Sequence, residues 1–369
     1  VADDQEAIRF ALQMLLNGAG YASECVAAPD SAVAAVERGG IDLVLMDLNY
    51  SRDTTSGSEG LELLPRLRAT APDVPVVVMT AWATIDLAIE AMRRGASDFV
   101  LKPWENAALL DTVRTHVQRR AERALDDDRV NRDLALARRV QGRLLPQSCP
   151  ALATLEYAGY CLEAHAVGGD GYDFIPLGGN RMALTLADAS GKGIGAALLM
   201  ANLQGAVRSV LAAGHEDLVS MLDRLNAVYL GSTAPEHYAT LFAAIYDDAG
   251  RRLRYVNCGH NPPVLLRRDG SCERLGPTAP VVGLIEGWRG EARDACLDPG
   301  DLLVVYSDGV TEARGDNEEE FGDDRLVATL RGLEPLPVPE IPRALAAAVA
   351  AFTKGAHGDD LTVVVARGR

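Results

Sequence analysis

The hydrophobic pattern along the chain changes character twice. At first, short apolar runs at Asp42–Leu48 (DLVLMDL), Val74–Thr80 (VPVVVMT) and Asp98–Pro103 (DFVLKP) alternate with GLELLPRLRATA and TIDLAIEAMRRG, whose apolar residues recur at helical spacing. Strand alternating with helix predicts a parallel sheet with helices on both faces, its functional groups at the C-terminal strand ends. From Glu105 to Leu145 the strand pattern vanishes. Leu110, Val113, Val117, Ala121, Ala124, Val130, Leu134, Ala137, Val140 and Leu144 recur at helical spacing, interrupted by Asp126–Asp128. This predicts one long helix, or two joined. Its apolar stripe calls for a partner helix: a second copy of this chain in a coiled-coil dimer, or, in the alternative, its own domain.

The two prolines of LLPQSCP end that helix. Beyond it, MALTLAD, YATLFAAIYD, RLRYVNCGH, PPVLLRR, DLLVVYSDG and DLTVVVA read as strands, with helices at Ala196–Ala213, Leu218–Leu230 and Pro342–Phe352. The turns DDAGRR and RRDGSC lie between strand pairs, so the sheets are expected to be antiparallel in an α+β domain. The expected organisation is a domain over 1–117, a helical linker over 118–146 and a second domain over 147–369.

Composition narrows the function. A net charge of -16 over 369 residues argues against sequence-independent nucleic-acid binding. No apolar run approaches the ~20 residues that span a bilayer, and no signal peptide is evident. The six cysteines, Cys25, Cys149, Cys161, Cys258, Cys272 and Cys296, are scattered without a C-x-x-C pair, and read as reduced thiols of a cytoplasmic protein. The chain opens with VADDQ at what reads as the end of a strand, without Met, so a few preceding residues are expected.

Two sets of residues carry chemistry. In the first, Asp3 and Asp4, Asp47, Thr80 and Lys102 each end a predicted strand, and so project from one sheet edge. Carboxylates ~4 Å apart repel by roughly 4 kcal/mol per pair at an effective dielectric near 20. A hard divalent ion such as Mg2+ removes that cost and can ligate a phosphoryl group. Asp47 then suits attack on phosphorus to form an acyl phosphate, with Thr80 and Lys102 contacting phosphoryl oxygens.

In order and spacing these residues resemble the receiver domain of a two-component response regulator. The resemblance implies a flavodoxin-like fold, phosphorylation of Asp47 by a sensor histidine kinase, and Mg2+ held by Asp3, Asp4, Asp47 and the Asn49 carbonyl. It also implies a switch in which Phe99 turns inward as Thr80 moves toward the phosphoryl group. The segment NYSRDTTSGSEG after Asp47 is longer than the shortest receivers carry.

The second set surrounds LADASGKGIGAALL, Leu186–Leu199. Its Gly-Lys pair does not make a phosphate loop. Leu186 stands where G-x-x-x-x-G-K-[ST] needs its first glycine, and Gly193 follows Lys192. Acids at strand ends are more telling: Asp170 and Asp173 in GGDGYDF, Asp188, Asp308 in LVVYSDGVTEA, and Asp359 and Asp360 in HGDDLTVVV. Such a set suits two oxygen-ligated divalent ions.

Together VGGDGYDF, LADASGKGIGAALLM, NCGHNPP, SDGVTEA and DDLTVVV resemble the SpoIIE/RsbU-type serine phosphatases of the protein phosphatase 2C family. The resemblance implies an antiparallel β-sandwich flanked by helices and two-metal hydrolysis with Mn2+ or Mg2+. Asp188 would bridge the ions, Ala189 offer its carbonyl, and Asp308 and Asp359 complete the second site, with Asp360 the adjacent alternative. Asp170 and Asp173 would hold metal-bound waters or a further ion. The implied substrate is a phosphorylated anti-sigma factor antagonist; a chain that had lost these acids would be a binding adaptor instead. Gly171, where relatives carry an aromatic, predicts looser packing, and LADAS replaces the usual GDVS. His260, Trp104 and Trp288 are expected to be structural, and Lys192 is left between two roles, facing the substrate phosphate or simply solvent.

Overall fold

The Val-rich runs of the first 131 residues make a three-stranded parallel sheet. The computed structural model describes all residues except 51–57, 81–84, 147–149, 214–216 and 356–357. They divide into two compact units, Val1–Asn131 and Arg132–Arg369. In the first, α1 (Glu6–Gly18), α2 (Pro29–Glu37), β1 (Val44–Asp47), α3 (Ser58–Thr70), β2 (Val76–Thr80), α4 (Ile85–Arg93) and β3 (Asp98–Leu101) follow in order. The sheet runs β1-β2-β3, with Val44 opposite Val76 and Val77 opposite Asp98. Every residue of β1 and β2 is buried, as expected for a sheet covered on both faces. The strand expected ahead of Asp3 is reduced to Ala2, which bridges Val26 and Met46 in parallel. Most of NYSRDTTSGSEG lies outside the described residues.

The connecting stretch is a single helix, α5 (Asn106–Gly142), and the division between the units falls within it. The linker marked at 118–146 therefore continues a helix that starts earlier. Leu109 and Val113 are buried against Leu12, Leu45 and Val77, and His116 Nε2 lies 3.1 Å from Asp98 Oδ2. Further on, Leu125, Val130, Leu136 and Val140 are exposed.

The second unit contains β4 (Leu155–Leu162), β5 (Asp170–Gly178), β6 (Arg181–Ala189), α6 (Gly193–Ala213), α7 (Leu218–Ser232), β7 (Ala239–Asp247), β8 (Arg252–Cys258), β9 (Val264–Leu266), β10 (Cys272–Arg274), β11 (Arg293–Cys296), β12 (Leu302–Tyr306), α8 (Asp308–Thr311), α9 (Gly322–Leu333), α10 (Ile341–Phe352) and β13 (Leu361–Gly368). Two antiparallel sheets form, β10-β9-β12-β13-β4 and β11-β8-β7-β6-β5. Alternation along each strand makes three cores. Tyr172, Phe174, Leu184, Leu186, Leu303, Val305 and Val364 pack between the sheets. Ile175, Ala183 and Ala187 face α6 and α7, while Val304, Tyr306 and Val363 face α9 and α10. The result is a helix–sheet–sheet–helix sandwich.

Two expectations change here. Within α6, Gly193–Leu211 has a mean hydropathy of 1.3 and is long and apolar enough to cross a membrane, contrary to the expected absence of such a run. Its buried residues Met200, Leu203, Val207 and Leu211 lie in the core shared with α7 and the sheet, which accounts for the apolar character of that face. Nor is the packing at Gly171 loose. A Cβ there would lie 2.8 Å from Met200 Sδ and 3.1 Å from Gln204 Nε2, so α6 fills the space an aromatic would take. Trp288 is buried and donates Nε1–H to the Pro280 carbonyl, and Trp104 packs beside Leu109. Cys25, Cys161, Cys258, Cys272 and Cys296 are free thiols.

Candidate functional site

At the C-terminal edge of the parallel sheet, carboxylate oxygens of Asp3, Asp4 and Asp47 lie within 4.8 Å of one another, a group that can hold a metal ion. Backbone bonding sets the cluster: Asp47 N–H donates to the Ala2 carbonyl, and Arg9 Nη1 donates to the carbonyls of Asp3 and Asp4, each at 2.8 Å. Lys102 Nζ lies 2.7 Å from Asp3 Oδ2 and 2.8 Å from Asp47 Oδ2. Burial pushes the Asp47 carboxyl above its ordinary range, and Lys102 offsets part of that. Thr80 is buried at the end of β2, its carbonyl accepting from Lys102 N–H at 2.8 Å. Phe99 is outward and 42% exposed. Oδ1 of Asp4 and Oδ1 of Asn49 are buried without a hydrogen-bond partner, which fits an oxygen-seeking cation beside them.

In the second unit the acids come from both sheets. Asp170 begins β5 and is paired in register with Asp188 near the end of β6. Both share the strand face of Tyr172, Phe174, Leu184 and Leu186, which looks between the sheets. From the other sheet, Asp308 follows β12, and Asp359 and Asp360 precede β13. Gly309 makes this approach close: a Cβ there would lie 2.0 Å from the Asp360 carbonyl oxygen. Burial, then the charges of Asp308 and Asp359, push the Asp188 carboxyl up to about 7. Asp308 is raised by burial and Asp359, and Asp170 by burial and Asp188. Asp170 Oδ2 is buried without a partner. A crowd of carboxylates that raise one another's pKa, with an unpartnered buried oxygen, fits divalent cations. The Ala189 residue is buried, its N–H donating to the Gly169 carbonyl at 3.0 Å.

The structure separates three acids that sequence left together. Asp360 turns inward and accepts from Ala164 N–H at 2.8 Å and Gly169 N–H at 2.6 Å, clamping the loop that leads into β5. Asp359 is 44% exposed and pairs with Lys192 Nζ at 2.7 Å. Asp173 lies an odd number of residues from Asp170, hence on the opposite strand face, and its carboxylate pairs with Arg208 of α6. Sequence reasoning missed Arg208, and also Gln141 in the last turn of α5. Gln141 Nε2 donates to the Gly168 carbonyl at 2.6 Å while its Oε1 accepts from Gly168 N–H at 3.1 Å. Both residues sat in segments read only as helix. His260 is buried, accepts or donates at Nδ1 with Thr240 Oγ1 at 2.8 Å, and is pushed down to about 4 by burial, consistent with a structural imidazole.

The raised acids have a measurable consequence. Asp188 moves from an ordinary 3.8 to about 7 on folding, so the metal-free folded chain binds a proton that the unfolded chain has released across that window. Stability in EDTA is therefore expected to fall as pH rises from about 4 to about 7. Urea midpoints measured at pH 5 and 7.5 should show the drop, and Mn2+ should reverse it at pH 7.5. Equal midpoints in EDTA would contradict a raised Asp188 carboxyl.

The profile of the family described as Stage II sporulation protein E (SpoIIE) matches residues 178–369, and that of the response regulator receiver domain matches residues 1–114. Protein IcfG of Synechocystis sp. is 33% identical over 234 residues, 55% of this chain and 36% of IcfG. Phosphoserine phosphatase RsbU of Bacillus subtilis is 30% identical over 190 residues, 51% of this chain and 56% of RsbU. The SiaA-PP2C domain of Pseudomonas aeruginosa is similar in fold, with a TM-score of 0.58 at 22% identity, covering 66% of this chain and 98% of that one. The chain thus spans about a third of IcfG and just over half of RsbU.

Proposed function

This chain belongs to the SpoIIE family and carries a response regulator receiver domain at its N-terminus, and from that premise we propose that it is a metal-dependent protein phosphatase governed by phosphorylation of Asp47. The observation that supports the enzymatic half is the approach of Asp188 on one sheet to Asp308 and Asp359 on the other, in a setting where burial first and their charge second raise the Asp188 carboxyl to about 7. Asp188, the Ala189 carbonyl, Asp308 and Asp359 would hold two Mn2+ or Mg2+ ions. Such ions supply activation of water for in-line attack on phosphorus and neutralise charge on the phosphoryl oxygens. The chain's own work is positioning. Asp360 fixes the loop before β5, and the core between the sheets holds Asp170 and Asp188 in register.

The substrate class is phosphoserine or phosphothreonine on a protein, and the partner an anti-sigma factor antagonist. RsbU, a phosphoserine phosphatase by name and 30% identical, supports the first of these. In the first unit, Asp3, Asp4, Asp47 and the Asn49 carbonyl would hold Mg2+ while a sensor histidine kinase supplies the phosphoryl group. Lys102 already touches the carboxylate that receives it. Phosphorylation shifts the population of α5 states, and the later half of α5, where Leu125, Val130, Leu136 and Val140 are exposed, pairs with a second copy in a coiled coil.

The test is phosphate release from a phosphoserine peptide by the full chain. Turnover is expected with Mn2+ and none with EDTA. No turnover with Mn2+, with or without acetyl phosphate, overturns the enzyme in favour of a binding adaptor.

A further inference from the structure

Lys192 stands among the acids, yet the hydrolysis described above gives it no part. Its neighbours Gly191 and Gly193 both take left-handed backbone, with φ of +99° and +70°. Two such residues in three make a tight turn that only glycine adopts without strain, and it presents Lys192 just before α6. Lys192 Nζ donates to Asp359 Oδ2 at 2.7 Å and to the Gly358 carbonyl at 3.0 Å. More than half of its side chain stays in solvent (58%). With Asp308, Glu312, Arg314, Glu318 and Asp359 it lines a cleft of about 400 Å3.

An ammonium 2.7 Å from Asp359 is a cation carried by the protein itself, placed on a carboxylate that the phosphatase reading assigns to a metal. A divalent ion on the same carboxylate brings twice the charge, and the two cations repel. An ion held by Asp359 would therefore weaken the hold of that carboxylate on the ammonium. The cleft that Lys192 already lines has Asp308 and Asp359 in its wall, so a phosphoryl group entering it would reach both the acids and the ammonium. A flexible four-carbon stem lets the charge move from one partner to the other.

We propose that Lys192 is a phosphate-positioning residue that idles on Asp359, yields that carboxylate to an incoming divalent cation, and then binds a phosphoryl oxygen of the substrate. This rests on the phosphatase reading above. A residue that merely tethered Asp359 would have the opposite effect on metal affinity, since its loss would loosen a ligand.

The test uses the full chain as wild type, Lys192→Met and Lys192→Arg. Mn2+ binding, followed by the electron paramagnetic resonance signal of free Mn2+, is expected to tighten about three- to tenfold in Lys192→Met, because a competing cation is gone. Orthophosphate binding to the Mn2+-loaded protein, read from 31P line broadening, is expected to weaken by about tenfold or more in Lys192→Met and to be largely restored in Lys192→Arg. Unchanged or weaker Mn2+ binding in Lys192→Met overturns the proposal, as does unchanged orthophosphate binding. Neither readout requires turnover. A wild type that fails to hydrolyse phosphopeptide while passing both tests would count against the phosphatase reading alone.

Discussion

Replacing Asp188 with Asn is expected to lower Mn2+-dependent kcat by at least ~10³-fold, about 4 kcal/mol of transition-state stabilisation. The substitution keeps the size of the side chain and removes the charge that meets Asp308 and Asp359. Its effect on stability should run the other way. Asp188 is raised to about 7 because its ionised form is disfavoured in the folded chain. The neutral amide escapes that penalty, so Asp188→Asn in EDTA at pH 7.5 should melt no lower than wild type. Protection by Mn2+ should disappear. An ion at 100 times its dissociation constant stabilises by about 2.7 kcal/mol, which for a unit of this size is a melting shift of roughly 5–10 °C. Lost activity together with lost Mn2+ protection and a sound fold places the acid at the metal. Undiminished turnover would remove Asp188 from the site.

Replacing Asp47 with Ala is expected to abolish the response to a phosphodonor. With acetyl phosphate and Mg2+, wild-type turnover should change by about fivefold or more, the low end of ordinary coupling between sites. Asp47→Ala should show the same rate with and without the donor. The physical ground is the geometry of the acid edge. Lys102 lies 2.8 Å from Asp47 Oδ2, so a phosphoryl group on that oxygen meets the ammonium at once, beside the unpartnered Asp4 and Asn49 oxygens. Thr80 ends the adjoining strand, and its carbonyl is tied to Lys102 N–H. Identical wild-type rates with and without the donor would separate the two units functionally.

How far these sites were legible in the sequence depended on what kind of local rule placed each residue. In a parallel sheet every strand delivers its last residue to the same edge, so Asp47, Thr80 and Lys102 follow from strand ends alone. In the antiparallel sandwich, parity matters as much as position. GGDGYDF announces acids, but only the register of β5 against β6 reveals that Asp170 looks between the sheets and Asp173 away from them. Asp359 and Asp360 are adjacent in sequence and part because Asp360 is engaged by two amides almost two hundred residues upstream, a contact that no local pattern carries. The same holds at Gly171, where the expected gap is filled by Met200 and Gln204 of a helix packed across the sheet. The apolar length of α6 was visible as helix, but its burial depends on which neighbours cover it.

The paired bonds between Gln141 and Gly168 make one amide proton a clock. Gly168 N–H donates to the side chain of the last turn of α5, in the loop that enters β5 two residues later. Exchange of that hydrogen with deuterated solvent is governed by how often the contact opens, on a scale set by local opening free energy. Its rate therefore records the seating of the helix end on the acid-bearing loop in every state of the protein, whether or not any phosphate is released.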